Sequence, residues 1–92
     1  MNEKNLEKNL NLYAKKHGVL SVKLSSPNSR GQPDRMFLYE GRAIFMELKG
    51  KGKKATALQL KYIDDLNNLG FIAEVVDDLT RGKELITRLI TP

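Results

Sequence analysis

Asp34, Glu47 and Lys49 are the residues of this chain whose types and spacing could do chemistry. Around them the sequence reads Gly31-Gln32-Pro33-Asp34, then Arg35 to Tyr39, Glu40-Gly41, and Arg42 to Lys49. A residue followed by glycine between two β-prone runs marks a two-residue hairpin loop. With Glu40-Gly41 as that loop, Tyr39 pairs with Arg42, and stepping outward brings Asp34 opposite Glu47. Side chains directly opposite on neighbouring strands lie roughly 5 Å apart. Two like charges at that separation repel unless something compensates, and a divalent cation between the carboxylate oxygens is the compensation that has a use. Lys49 lies two residues past Glu47, so the period of a strand puts its ammonium on the same face.

Magnesium prefers hard oxygen ligands and retains several waters, so two protein carboxylates leave positions for a substrate phosphate and an attacking water. The main-chain carbonyl of Leu48, between Glu47 and Lys49, is a further candidate oxygen. Lys49 would orient that water or offset negative charge growing on the phosphoryl oxygens. The chemistry these groups fit is metal-assisted phosphodiester hydrolysis, against the plain alternative of a surface strand that carries an Asp, a Glu and a Lys.

The elements that must position these groups follow from the pattern. Leu6, Leu10 and Tyr13 recur at helical spacing from Asn5 to His17, with Gly18 as the stop. Val19 to Ser25 alternates Leu20, Val22 and Leu24 with Ser21, Lys23 and Ser25, a strand with one polar face. Ser26 to Pro33, with two prolines and a glycine, is a loop before the hairpin. After the basic Gly50-Lys51-Gly52-Lys53-Lys54 loop, Thr56 and Gln59 form a capping box. Leu58, Tyr62, Ile63, Leu66 and Leu69 then mark a second helix to Gly70, with Tyr62 read as core. Phe71 to Val76 fits a buried strand, and Leu79, Leu85, Ile86, Leu89 and Ile90 a last helix with Gly82 early in it. The order is α-β-β-β-α-β-α, an α/β fold with a mixed sheet flanked by helices.

The 92 residues leave room for one domain with one modest core, spanning the whole chain. Sixteen Lys and Arg against eleven Asp and Glu give a net charge of +5, which favours polyanionic partners without choosing among them. The absence of cysteine excludes disulfides and thiolate metal sites, and the single histidine, His17, limits any zinc site. No apolar run approaches membrane-spanning length and the first twelve residues do not form a signal peptide, so a soluble, cytoplasmic protein is expected.

Gly31-x-Pro33-Asp34-Arg35, a hairpin, Glu47-Leu48-Lys49 and Gln59-x-x-Tyr62 on the following helix together resemble the virus-type replication-repair nuclease (VRR-NUC) domain, a branch of the PD-(D/E)xK nuclease superfamily with a restriction-endonuclease-like core. The resemblance runs from the first helix to the strand ending at Val76. It implies a Mg2+- or Mn2+-dependent DNA nuclease in which Asp34 and Glu47 ligate metal, Lys49 assists catalysis and Gln59 lies near the site. Glu7 would be the family's glutamate on the first helix, whereas by itself it reads as a solvated helix residue. Gln59 has two compatible readings, helix cap and site residue. Arg30, Arg35, Lys51, Lys53 and Lys54 flank the acids on both sides, a grouping that suits phosphate contact.

With no appended DNA-reading domain, recognition of DNA shape is expected, with preference for branched or four-way junctions. A two-fold homodimer would set two sites on opposing strands. The alternative is a non-catalytic nucleic-acid-binding module with the same fold. A third reading, a small protein-interaction domain, predicts neither DNA affinity nor metal binding.

Overall fold

Helix α1 (Glu3–Lys16) opens the fold, starting two residues before the apolar spacing alone would set it. Asn2 is the reason: its side chain accepts from the Asn5 N–H at 2.8 Å and caps the helix, with Glu3 in the first turn against the positive end of the dipole. Gly18, at φ +74°, supplies the left-handed residue that ends it. The computed structural model describes residues 1–24 and 30–92. Ser25, expected to end the first strand, and the loop residues Ser26 to Ser29 lie outside them.

Strands β1 (Leu20–Lys23), β2 (Arg35–Tyr39) and β3 (Arg42–Leu48) form an antiparallel meander, and β4 (Ile72–Val76) joins β3 in parallel. A parallel neighbour requires a crossover. Helix α2 (Ala57–Asn68) makes it, and α3 (Leu79–Ile90) closes the chain. This is the element order that the sequence pattern predicts. Both residues of the β2–β3 turn have positive φ, 45° at Glu40 and 78° at Gly41. That turn twists with the strands and fixes Tyr39 opposite Arg42, Phe37 opposite Ile44 and Arg35 opposite Met46.

One face of the sheet carries the core. Phe37, Ile44, Met46, Leu48 and Val76 pack against Leu6, Leu10 and Ala14 of α1 and Leu85, Ile86 and Leu89 of α3. Gly82 lets the two helices close, because a Cβ there would lie 2.6 Å from a Leu10 methyl. The other face is more open. Helix α2 packs chiefly along β4 and buries only Ile63, while Leu58 and Leu69 are exposed and Tyr62 stands half-buried outside the core. Phe71, expected in the buried strand, precedes β4 and is 44% exposed, edge-on to Phe45.

β1 also presents its faces in an unexpected way. Leu20 is 61% exposed, whereas Ser21 is half-buried and donates to Asn11 of α1 at 2.7 Å. β1 is an edge strand whose α1-facing side is held by polar contacts, so its apolar side lies on the open face with Met36 and Leu38. The opposite edge is closed by a side chain. Asn67 donates to the carbonyl of Ala73 at 2.9 Å and accepts from its N–H at 3.1 Å, covering the free side of β4.

Candidate active site

Asp34 sits one residue before β2, and continuing the register outward from Arg35 and Met46 sets it against Glu47 at the end of β3. Two main-chain bonds fix it. Its carbonyl accepts from the Leu24 N–H at 2.8 Å, and its Oδ2 accepts from the Leu48 N–H at 2.7 Å. In a strand the N–H and C=O of one residue point to the same edge, so the Leu48 carbonyl turns toward Asp34 as well. Lys49 faces the other way through its main chain, its N–H donating to the Val76 carbonyl at 3.0 Å.

The approach to Asp34 is set by Gly31 and Pro33. Pro33 is fully buried. Gly31 has φ +81°, and a Cβ there would lie 2.8 Å from Leu58 Cγ and 2.9 Å from the Leu58 carbonyl oxygen. The segment before Asp34 is thus seated on the first turn of α2, where only glycine fits.

Glu47 is 2% exposed, the one charged residue that is buried among the described residues. Its Oε2 accepts from Gln59 Nε2 at 3.0 Å and lies 3.5 Å from Lys49 Nζ. Its Oε1 is buried and, among the described residues, has no hydrogen-bond partner. Burial, and then the negative charge of Asp34, push the Glu47 carboxyl up to about 7, while Lys49 pulls it back. Gln59 connects this acid to the start of α2. Its Oε1 accepts from the Thr56 N–H at 2.9 Å, and its own N–H donates to Thr56 Oγ1 at 3.2 Å. Both sequence readings of Gln59, cap and neighbour of the acid, are therefore present in one side chain.

Among the described residues, no cluster of three His, Cys, Asp or Glu forms that could hold a metal. Two carboxylates are nonetheless enough for magnesium, which keeps several waters and is commonly held through one or two such ligands. A buried carboxylate oxygen lacking a donor, beside a second carboxylate and a carbonyl, fits a hard divalent cation. An unpaired buried acceptor is otherwise costly.

The remaining sequence-predicted residues divide. Arg30, Lys51, Lys53 and Lys54 are exposed around this end of the sheet. Arg35 and Glu7 are not with them. Arg35 Nε donates to Glu7 Oε2 at 3.2 Å, its Nη1 donates to Ser21 Oγ at 3.3 Å, and its side chain is only 13% exposed. The alternation of β2 turns Arg35 to the α1 side, together with Phe37, so it differs from the four loop cations grouped with it in sequence. Glu7, matched by resemblance to the family's first-helix glutamate and so expected among the catalytic residues, likewise faces Arg35 on the α1 side of the sheet, away from Glu47.

No family model matches the chain. It is 40% identical over 76 residues to "Putative nuclease p44" of Acyrthosiphon pisum secondary endosymbiont phage 1, an alignment covering 82% of each protein. A solved structure named "VRR_NUC domain" superimposes with a TM-score of 0.81 at 26% identity, over 92% of this chain and 94% of its own. The chain belongs to the VRR-NUC family. A second solved structure, "VRR_NUC domain protein", has the same fold at a TM-score of 0.75 and 16% identity, covering 98% of this chain and 88% of the other.

In this VRR-NUC domain the contact of Gly31 with Leu58 gives a direct test of how Asp34 is held. Gly31→Ala is expected to lower stability by about 1–3 kcal/mol in urea unfolding, from overpacking and a strained φ. Leu58→Ala in the same protein should restore only part of the loss, because the other close contact is with main-chain oxygen. Full recovery would show that the side chain alone had been in the way.

Proposed function

We propose that this VRR-NUC domain is a divalent-metal-dependent endodeoxyribonuclease, with Asp34, Glu47 and the Leu48 carbonyl as the groups that hold Mg2+ or Mn2+. The observation that carries this reading is the buried Oε1 of Glu47, without a hydrogen-bond partner among the described residues, next to Asp34 and Lys49. When bound, the cation supplies Lewis-acid activation of a phosphoryl oxygen and a more acidic water. Glu47 keeps its orientation through Gln59, which is itself anchored on Thr56. Lys49 offsets the charge that grows on the non-bridging oxygens as water attacks phosphorus and the P–O bond to the leaving strand breaks. Arg30, Lys51, Lys53 and Lys54 hold the flanking phosphates. The homology to a phage protein named as a nuclease and the VRR-NUC fold support phosphodiester hydrolysis.

The preferred substrate under this reading is branched or four-way DNA, cut by a homodimer. Support for pairing comes from the open face of the sheet. Leu20 and Phe71 are exposed there beside half-buried Val22, Met36 and Leu38, an apolar surface that a second copy would cover. Linear, nicked, flapped and four-way DNA, each with Mg2+, Mn2+ or EDTA, form the test. Divalent-dependent cleavage, fastest on four-way DNA, is expected, with a dimer in sedimentation at micromolar concentration. DNA binding with no cleavage under any divalent condition would leave the non-catalytic module in its place. Equal rates on linear DNA would remove the junction preference, and a monomer at that concentration the paired cut.

A further inference from the structure

Helix α1 sorts its charges by face. Lys4, Lys8, Asn11 and Lys15 stand at i, i+4, i+7 and i+11, a spacing that keeps them on one side of the helix. The three lysines are exposed, and among the described residues none of them takes part in an ion pair. Of the two acids of α1, Glu7, which flanks this line, has its charge engaged by Arg35, and Glu3, in the first turn, lies further round the helix from it. From Lys4 to Lys15 the line extends about 16 Å at the α-helical rise, the length of about five phosphates on one strand of a duplex.

The start of the line adjoins the candidate active site. The Lys51 N–H donates to the Met1 carbonyl at 3.1 Å, and a Cβ on Gly50 would lie 3.6 Å from the Glu3 nitrogen. The first turn of α1 therefore rests against the loop that follows Lys49 and carries Lys51, Lys53 and Lys54. From there the helix runs to the other end of the sheet, where Gly18 borders the same surface hollow as Tyr39, Glu40 and Arg42 of the hairpin turn. The basic line thus continues from the loop cations and leads away from Glu47 and Lys49.

We propose that the Lys4–Lys8–Lys15 face of α1 binds the phosphate backbone of a duplex DNA arm flanking the bond that is cut. The chemistry selects this occupant over others. The apolar side of α1, Leu6, Leu10 and Ala14, is fully buried against the sheet and α3, and Leu12, exposed beside the lysines, is a single residue rather than an apolar face that could insert into a lipid surface. The line itself has no aromatic residue on which unstacked bases could lie, so it suits a paired backbone rather than single strand. Contacts of this kind are independent of sequence. The location of the cut rests on the nuclease reading, whereas binding by this face does not.

The test compares the whole protein with a Lys4→Gln/Lys8→Gln/Lys15→Gln variant. Gln has nearly the helix propensity of Lys, and thermal melts check that the fold is kept. Affinity for long-armed duplex DNA, measured in EDTA over a range of salt, should fall about tenfold at low salt, with the slope of log K against log salt shallower by about two to three. Cleavage at saturating substrate should be unchanged, and DNA trimmed so that its arm stops short of α1 should bind both proteins alike. A control with Arg42→Gln, Lys61→Gln and Arg88→Gln removes three charges elsewhere and should retain most of the affinity. Unchanged salt dependence in the α1 variant, the same loss on trimmed DNA, or an equal loss in the control would each overturn the proposal. A protein that binds through α1 in EDTA yet never cleaves would sink the nuclease reading and leave this surface standing.

Discussion

Replacing Lys49 with methionine should reduce the rate of DNA cleavage by about 10²–10³-fold at saturating substrate, the usual effect of removing one preorganised electrostatic group from a reacting centre. Methionine keeps most of the unbranched stem, and only 17% of the Lys49 side chain is exposed, so packing around it should survive. DNA affinity in EDTA should change by no more than about threefold, since one charge among many contributes little to total binding. A second consequence follows from the position of the ammonium 3.5 Å from Glu47 Oε2. Lys49 is the group that lowers the Glu47 pKa, so its removal should raise that pKa further and demand more magnesium at neutral pH. Single-turnover cleavage as a function of Mg2+ at two pH values measures both effects. Asp34→Asn is expected to match or exceed the loss, because the amide oxygen can still accept from the Leu48 N–H while the charge is gone. Parental rates in either variant, with the fold intact, would remove these residues from the chemistry.

What was legible in the sequence depended on local rules. Glu40-Gly41 specifies a tight turn, the turn specifies the register, and the register brings Asp34 opposite Glu47 with Lys49 on the same side. The Thr56–Gln59 capping box was readable for the same reason, being a contact within one helical turn. Relations between distant segments were not readable. Arg35 and Glu7 are 28 residues apart, and nothing in the local pattern of either states that the first helix lies on the face to which Arg35 turns. Leu20, Leu58, Leu69 and Phe71 have core-like spacing yet are exposed, because α2 packs mostly along β4 and leaves the open face of β1 to β3 uncovered. The orphaned Oε1 of Glu47 is likewise a product of three elements meeting, with β3 carrying the acid, α2 covering it and the segment before β2 opposing it.

That orphaned oxygen sets the other large expectation, a stability that falls as pH rises in metal-free protein. Glu47 ionises at about 7 in the folded chain against 4.5 for the ordinary side chain, chiefly because burial penalises its charged form. Between those two values the unfolded chain has released a proton that the folded one still holds, so each step up in pH favours unfolding. The loss begins near 4.5, is complete a little above 7, and amounts to roughly 3 kcal/mol. Carboxylates that ionise more readily when folded have the opposite trend at acid pH, so the difference between parent and Glu47→Gln isolates the term. In EDTA the two proteins should be close in stability near pH 4.5, and the variant should gain on the parent as pH rises. By pH 8 its melting temperature should lead by on the order of 10 °C. Added Mg2+ should reverse the order, because the cation binds the ionised acids of the folded parent and has far less affinity for the amide. Urea unfolding from pH 4.5 to 8, with and without Mg2+, measures both directions. Parallel curves for the two proteins in EDTA would mean that Glu47 carries no burial penalty, and the principal physical argument for a cation at this site would be lost.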